Sequence, residues 1–433
     1  MKRIIVSVPV IVCFLLAAAA VRPARAQALS GGPPRVTLPF DLVDTLDGPK
    51  FKIRVPVNWN GTLLVYTQGG KTGAAPPEPL LVPPVLPTPF LSLEDTLLSR
   101  GYALAASEIA TTDSQMKASS EDTFALTAYF RGRVGDPKRV ILWGTSLGGL
   151  ISLRLMEDDP RSFDGVIATC SPAAGAPRLV DRYIDFDLAY SVAFGWPDKA
   201  WGSLDNLRSD LNFNTDVYPM VNWPKPDGSN RGGWEFIRLV NGLASDAFWS
   251  TDPLWKYPGF LMQMAFATGS LSDTQKWASG PVAQNLDHRY SLTPDEKTYL
   301  AGLGVQADDL LAKMNARTNI YADPRARDWV ERFGEVHGTL TKPVITLHTT
   351  LDPLADIRHE SAYRQTVAGE GCLAELVQAY VSGVGHCAFT AQQLLAGLAA
   401  LESWLDTGTP PSASSFPEAL GFNNAFVPPP WPY

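Results

Sequence analysis

Two stretches of the chain alternate short apolar runs with amphipathic segments, which predicts strands followed by helices. The first has predicted strands at 51–55, 62–66, 102–106, 139–143 and 164–169, and predicted helices at 91–100, 122–133 and 147–156. The second has strands at 343–347 and 376–381 and helices at 359–367 and 390–405. Residues 27–50 are mixed and polar, and we expect an extended lead-in there. Strands that alternate with helices favour a mainly parallel sheet flanked by helices, so the predicted fold class is α/β.

The alternation breaks between residues 174 and 335. This segment is aromatic and mostly helical in its pattern, and it contains eight of the twelve tryptophans. We expect it to be a helical cap of about 160 residues over the carboxyl edge of the sheet. Most of its tryptophans should hold the helices together, and some should line an apolar or aromatic acyl pocket. The sheet domain then comprises 27–173 and 336–407, followed by an extended tail at 408–433.

Residues 1–26 have the pattern of an export signal. Lys2 and Arg3 precede an uncharged apolar run at 4–21, and Ala24-Arg25-Ala26 is a small-x-small cleavage site, so we expect a cut after Ala26. The alternative is an uncleaved anchor, since the run approaches the length of a spanning helix. We expect a soluble mature protein that is secreted or periplasmic, with no membrane span after cleavage.

The charge balance argues against a nucleic-acid partner. The chain has 36 basic and 44 acidic side chains and a formal net charge of -8, whereas a phosphate binder needs a concentrated basic face. The sequence contains no zinc or calcium ligand pattern, so we expect neither a metal nor a cofactor.

Gly144-Thr145-Ser146-Leu147-Gly148 matches the pattern G-x-S-x-G. An apolar strand comes directly before it and an apolar helix directly after it, which is the strand–turn–helix context of a nucleophilic serine. The turn is sharp, so the neighbours of the serine must be small, and Gly144 and Gly148 meet that demand. The turn also places Ser146 at a helix N-terminus, where developing negative charge is favoured. The alternative is a glycine-rich turn with an incidental serine.

A serine nucleophile needs a base, and the mature chain has five histidines. His386 follows the last predicted strand in a glycine-flanked loop, which leaves its ring free to face a cleft. His348 lies inside an apolar strand, and we interpret it as a core residue. His386 is therefore the candidate base, and the alternative is a hydrogen-bonded loop histidine.

The acid that orients the histidine should lie between the serine and the histidine in sequence. Asp352 does so, just past the strand at 343–347. Asp356 is the competing candidate, four residues further on. We favour Asp352 because it is nearer the strand end and precedes Pro353, although a turn-capping aspartate would read the same way.

Residues 144–148, Asp352 and His386, in this order on this pattern of strands, resemble the α/β-hydrolase superfamily of serine esterases, lipases and some peptidases. The resemblance covers roughly residues 40–173 and 336–407, not the insertion. Residues 386–390 are similar to the histidine loop of a secreted bacterial subgroup. The resemblance implies an α/β-hydrolase fold with a Ser-Asp-His triad.

The strand at 60–66 with Gly69-Gly70 resembles the oxyanion loop of the family. The implied donors are the backbone N–H of Leu147 and that of Gly69 or Gly70. The family often has a histidine before these glycines, where this chain has Gln68. The alternative interpretation of the glycine pair is an ordinary tight turn.

The expected function is therefore hydrolysis of carboxylic esters by a secreted serine hydrolase, through an acyl-enzyme on Ser146, without a cofactor. The expected partner is a small or oligomeric ester. The alternative is a serine peptidase of the same fold, such as an aminopeptidase. A non-catalytic binding module is a third reading, which a complete triad disfavours.

Three cysteines remain after the predicted cleavage, so at least one is unpaired within the chain. Cys372 and Cys387 bracket the last strand, and we expect them to form a disulfide that fixes the histidine loop, worth about 3 kcal/mol. Two buried thiols are the alternative. Cys170, at a strand end, is expected to be a small core residue.

Overall fold

The computed structural model describes residues 35–46, 48–70, 79–85, 93–109, 115–249 and 257–432. The predicted signal at 1–26 lies outside these residues. In the described part of the chain, no helix has both the length and the apolar character needed to cross a bilayer.

The centre of the molecule is an eight-stranded sheet, with the strands in the order β1-β2-β4-β3-β5-β6-β9-β10. The pairs from β4 to β10 are parallel, and β1 and β2 are antiparallel additions at one edge. The mainly parallel α/β sheet is confirmed. Its strands are β1 Phe40–Thr45, β2 Lys50–Val55, β3 Thr62–Thr67, β4 Ala103–Ser107, β5 Arg139–Thr145, β6 Gly165–Thr169, β9 Val344–Leu351 and β10 Leu376–Val384, while β7 Gly202–Ser203 and β8 Asn206–Leu207 form a separate hairpin.

Helices cover both faces of the sheet. In β3, Leu63 and Val65 pack in the cluster that includes helices α2 and α3, while Leu64 and Tyr66 pack with α1 and α14 on the other face. A strand buried on both faces needs a continuous apolar run, which is what 62–66 supplies. The helices of the sheet domain are α1 Leu93–Ser99, α2 Gln115–Arg133, α3 Leu147–Asp158, α13 Arg358–Gly369 and α14 Ala391–Thr407.

The lead-in differs from the expectation in one respect, because it contains the edge strand β1. Its burial alternates weakly, since one side of this strand faces solvent. Backbone pairing with β2, from Phe40 opposite Val55 to Thr45 opposite Lys50, forms the strand. Because the segment is polar in composition, the sequence pattern did not indicate that it pairs as a strand.

The chain between β6 and β9 is mostly helical, as expected. Trp234 lies at the centre of an aromatic cluster with Tyr190, Trp223 and Phe260, so these rings hold the helices together. The α-helices here are α4 Ala176–Phe194, α5 Asp198–Trp201, α6 Arg231–Val240, α7 Ser245–Phe248, α8 Pro258–Met264, α9 Leu271–Ala278, α10 Pro294–Gly302, α11 Ala307–Asn315 and α12 Pro324–Gly334, with π-helices at Phe213–Val217 and Ala265–Ser270 and a 3-10 turn at Tyr218–Met220.

The C-terminal tail lies against the far edge of the sheet. Ser382 donates its N–H to the carbonyl of Gly421, and Asn423 donates to the carbonyl of Tyr380. The tail thus satisfies backbone groups of β10 that an open sheet edge would expose. Three short 3-10 turns, Leu373–Glu375, Ala413–Ser415 and Glu418–Leu420, complete the described elements.

Candidate active site

Ser146 lies on the turn between β5 and α3, in a backbone conformation that non-glycine residues rarely adopt. Its φ is 56° and its ψ is −126°. The turn is packed so tightly that a Cβ on Gly144 would lie 2.2 Å from the carbonyl oxygen of Gly148. A Cβ on Gly148 would lie 2.0 Å from the carbonyl oxygen of Thr67. Both glycines of the motif are therefore required, and the turn lifts Ser146 to the carboxyl edge of the sheet.

His386 reaches Ser146 from the loop that follows β10. Its Nε2 lies 2.8 Å from the Oγ of Ser146, and its Nδ1 lies 2.8 Å from the Oδ2 and 3.1 Å from the Oδ1 of Asp352. The structure therefore brings together the serine, histidine and aspartate predicted from the sequence. In this arrangement the imidazole can take the hydroxyl proton while its other nitrogen donates to a carboxylate. Their catalytic roles stay a prediction.

Asp352 follows the end of β9, and its carboxylate is buried. Its Oδ1 accepts the backbone N–H groups of Leu354 and Ala355 at 2.8 Å and 3.0 Å. Burial alone would raise its pKa, but the charges and hydrogen bonds of His386 and His348 outweigh burial and lower the pKa to about 2. The carboxylate is therefore ionised near neutral pH.

The competing acid, Asp356, is engaged elsewhere. Its Oδ2 lies 2.8 Å from the guanidinium of Arg358, and its Oδ1 accepts the backbone N–H of the same residue. The structure thus separates the two candidates by their partners. Asp352 contacts the histidine, whereas Asp356 is paired with Arg358, the first residue of α13.

The two glycines of the expected oxyanion loop lie against the serine turn. A Cβ on Gly69 would lie 3.2 Å from the Cβ of Ser146, and one on Gly70 would lie 3.3 Å from the Cδ2 of Leu147. Gln68 donates from Nε2 to the carbonyl of Ser107 at 2.9 Å, which fixes the strand end before the glycines. The backbone of this loop therefore lies beside Ser146 and Leu147.

Comparisons with known proteins give distant matches. No family model matches the chain. The chain is 24% identical to an o-phthalyl amidase of Xanthobacter agilis over 421 residues, which is 86% of this chain and 88% of the relative. Among solved structures, Est1E from Butyrivibrio proteoclasticus is 11% identical, with a TM-score of 0.37, over 84% of this chain and 98% of that one. Feruloyl esterase B from Aspergillus oryzae is 12% identical, with a TM-score of 0.37, over 86% of this chain and 80% of that one.

The order of the strands and the serine turn after β5 decide the fold. The chain has the α/β-hydrolase fold. Helices from the segment between β6 and β9 lie over the carboxyl edge of this sheet, beside Ser146.

A pocket opens beside Ser146. Its aromatic walls are Tyr183 on α4, Phe266, Trp277 on α9 and Trp329 on α12. The segment between β6 and β9 thus supplies apolar walls for the candidate site. The sequence indicated an aromatic pocket without identifying which rings line it.

The predicted disulfide between Cys372 and Cys387 is wrong. Cys387 is bonded to Cys170, with their Cα atoms 5.2 Å apart, and Cys372 is unpaired. Cys372 and Cys387 lie beyond opposite ends of β10, whose nine residues span about 30 Å, far beyond the reach of a disulfide. Cys170 follows β6 at the same edge as His386, because parallel strands end together there.

The disulfide also occupies a potential metal-binding group. Within the described ranges, Cys170, His386 and Cys387 form a group whose ligand atoms lie within 4.8 Å of one another. Both sulfur atoms are bonded to each other, so they are not available as thiolate ligands. The bridge joins the end of β6 to the residue that follows the candidate base.

We expect alkylation of the denatured, unreduced protein to label Cys372 and to leave Cys170 and Cys387 in one linked peptide. Peptide mass mapping is the measurement. Cys372→Ser is the control, since it should lose the label and keep the linked peptide. A peptide that joins Cys372 to Cys387, or alkylation of Cys170, would contradict the pairing.

Proposed function

We propose that this α/β hydrolase cleaves carboxylic esters through an acyl-enzyme on Ser146. One observation carries the proposal: an unbroken hydrogen-bonded series runs from Ser146 through His386 to Asp352, and its serine lines an apolar pocket. A module that only binds a ligand has no use for a buried carboxylate and an imidazole aligned on a strained serine.

The positions of the atoms support the following reaction. His386 Nε2 takes the proton of Ser146 as Oγ attacks the acyl carbon. The N–H of Leu147 and that of Gly69 or Gly70 donate hydrogen bonds to the negative oxygen of the tetrahedral intermediate. The imidazolium then gives its proton to the leaving alcohol, and Asp352 stabilises the charged ring. Water, activated by the same histidine, releases the acid and restores Ser146.

An amide substrate is the second candidate, and a specific observation favours it. The relative at 24% identity is an amidase, and the same residues would protonate a leaving amine as they protonate an alcohol. The described lining of the pocket offers a single carboxylate, from Asp273, as a partner for a free α-amino group. Comparing matched aryl esters and anilides of one acyl group separates esterase from amidase or peptidase.

We also propose that the enzyme acts outside the cytoplasm, in the periplasm or the medium. The leader pattern at 1–26 supports export. The Cys170–Cys387 bridge is consistent with it, because structural disulfides persist in oxidising compartments.

We expect Ser146→Ala to lower kcat on nitrophenyl acyl esters at least about a thousandfold and to abolish labelling by a fluorophosphonate probe. Ser403, exposed on α14, supplies the control: Ser403→Ala should behave as wild type. Steady-state kinetics and intact mass measure both effects. Equal activity of Ser146→Ala and the wild-type protein would overturn the proposed function.

We expect the pocket to discriminate acyl groups by charge. Asp273 alone carries a charge among the described residues that line it, and burial raises its pKa while Lys276 opposes the shift. A carboxylate on the acyl ring should be disfavoured relative to a neutral or amino-bearing ring. Asp273→Asn should relax that discrimination, measured as the ratio of kcat/KM values, about tenfold.

Asp246, exposed on α7, is the matched control for this charge, and Asp246→Asn should leave the ratio unchanged. Equal ratios for wild type and Asp273→Asn would show that this carboxylate does not select substrates.

A further inference from the structure

A second histidine lies directly behind the catalytic acid. His348 is on β9, four residues before Asp352, and it is fully buried. Its Nε2 lies 2.8 Å from the carbonyl oxygen of Ala355 and 3.4 Å from the Oδ2 of Asp352. Its Nδ1 lies 3.0 Å from the Oε1 of Glu360 on α13. The proposed mechanism uses neither His348 nor Glu360.

The partners of His348 fix the proton on one of its nitrogens. The carbonyl of Ala355 has no proton to give, so Nε2 must carry a hydrogen and donate it. The same N–H lies beside the Oδ2 of Asp352. At Nδ1 the partner is a carboxyl oxygen, so a proton lies between the ring and Glu360.

Glu360 is held as an acceptor by other groups. It is fully buried, and its Oε2 accepts from Thr346 Oγ1 at 2.5 Å and from the amide of Gln378 at 2.6 Å. Thr346 comes from β9 and Gln378 from β10, so two strands fix this carboxylate. An oxygen that accepts two hydrogen bonds in this way carries no proton of its own. The proton therefore belongs on the ring, which makes His348 an imidazolium.

The other titratable groups close to His348 and Glu360 carry no positive charge. His359 on α13 accepts the N–H of Ala174, and burial lowers its pKa to about 3, so it is neutral. Burial raises the pKa of Tyr363 on α13 and of Tyr380 on β10, so both are uncharged. Burial opposes the charge on His348, but its hydrogen bonds to Asp352 and Glu360 outweigh burial and raise its pKa to about 10.

We propose that His348, clamped by Glu360, is a positioning residue that keeps the buried Asp352 ionised and oriented toward His386. The inference rests on the proposed function. A buried carboxylate needs compensation, because taking it out of water costs several kcal/mol. His386 gains its full positive charge only during the reaction, whereas His348 is charged throughout. The alternating series is thus Glu360, His348, Asp352, His386 and Ser146.

The test is a pair of variants, His348→Gln and the double variant His348→Gln with Glu360→Gln, assayed on a nitrophenyl acyl ester. We expect kcat to fall about tenfold or more with KM nearly unchanged, because His348 does not contact the substrate. Loss of the nearby positive charge should raise the affinity of the Asp352–His386 pair for a proton, whichever of the two residues carries it. The acid limb of the kcat/KM profile should therefore move to higher pH, by about half a unit or more.

Leu347→Ala is the matched control. Leu347 is the preceding residue of β9, is equally buried and packs on the opposite face of the sheet. It should lower the melting temperature without moving the acid limb. An acid limb in the His348 variants that stays where Leu347→Ala has it would reduce His348 to a structural residue and overturn the proposal.

A measurement on the unaltered protein covers the case in which the His348 variants do not fold. In protein labelled with ¹⁵N-histidine, we expect at pH 8 one imidazole with protons on both nitrogens. Its absence would overturn the proposal. A wild-type protein that neither hydrolyses esters nor reacts with the fluorophosphonate would instead contradict the proposed function. Failure of the His348 proposal and failure of the proposed function are therefore distinguishable.

Discussion

Parallel pairing at the centre of the sheet is the constraint on which the site depends. β5, β6, β9 and β10 run in the same direction, so the segments that follow them emerge at one edge. Ser146, Cys170, Asp352 and His386 are each the first residues beyond, or close to, one of those strand ends. Residues separated by 240 positions in sequence, Ser146 and His386, are therefore within hydrogen-bonding distance. The strained turn at Ser146 and the disulfide at Cys387 then set the final positions of the serine and the histidine loop.

Charge burial is the second constraint, and it follows from the first. The strand ends meet beneath the helices that follow β6, so Asp352 has no exposed side-chain surface. A carboxylate there is tolerated because two backbone N–H groups and two imidazoles surround it. The same burial that makes Asp352 costly strengthens its interaction with His386, since water does not screen it. The contacts that stabilise the buried Asp352 are thus the same contacts that the proposed catalysis uses.

The sequence predicted those parts of the site that depend on local pattern. A strand, a glycine-bounded serine and a helix identify the turn at Ser146, and chain order selects Asp352 and His386. Features set by contacts between distant segments were missed. Cys372 is nearer Cys387 in sequence, but Cys170 is nearer in space, because the strand between Cys372 and Cys387 is extended. The sequence indicated that His348 is a core residue, and it is buried. Its contact with Asp352 was missed, although the spacing of four residues at the end of one strand was a signal for it. β1 was missed because pairing, not composition, makes it a strand.

The central claim is that Ser146, His386 and the oxyanion loop act on one acyl carbon. A crystal structure of the protein treated with an alkyl phosphonate ester tests it most directly, because the phosphorus mimics the tetrahedral carbon. The account predicts a bond from phosphorus to the Oγ of Ser146, with the phosphoryl oxygen toward the N–H of Leu147 and the alkyl group in the aromatic pocket. A phosphonate bonded elsewhere, or a phosphoryl oxygen turned away from these N–H groups, would contradict it.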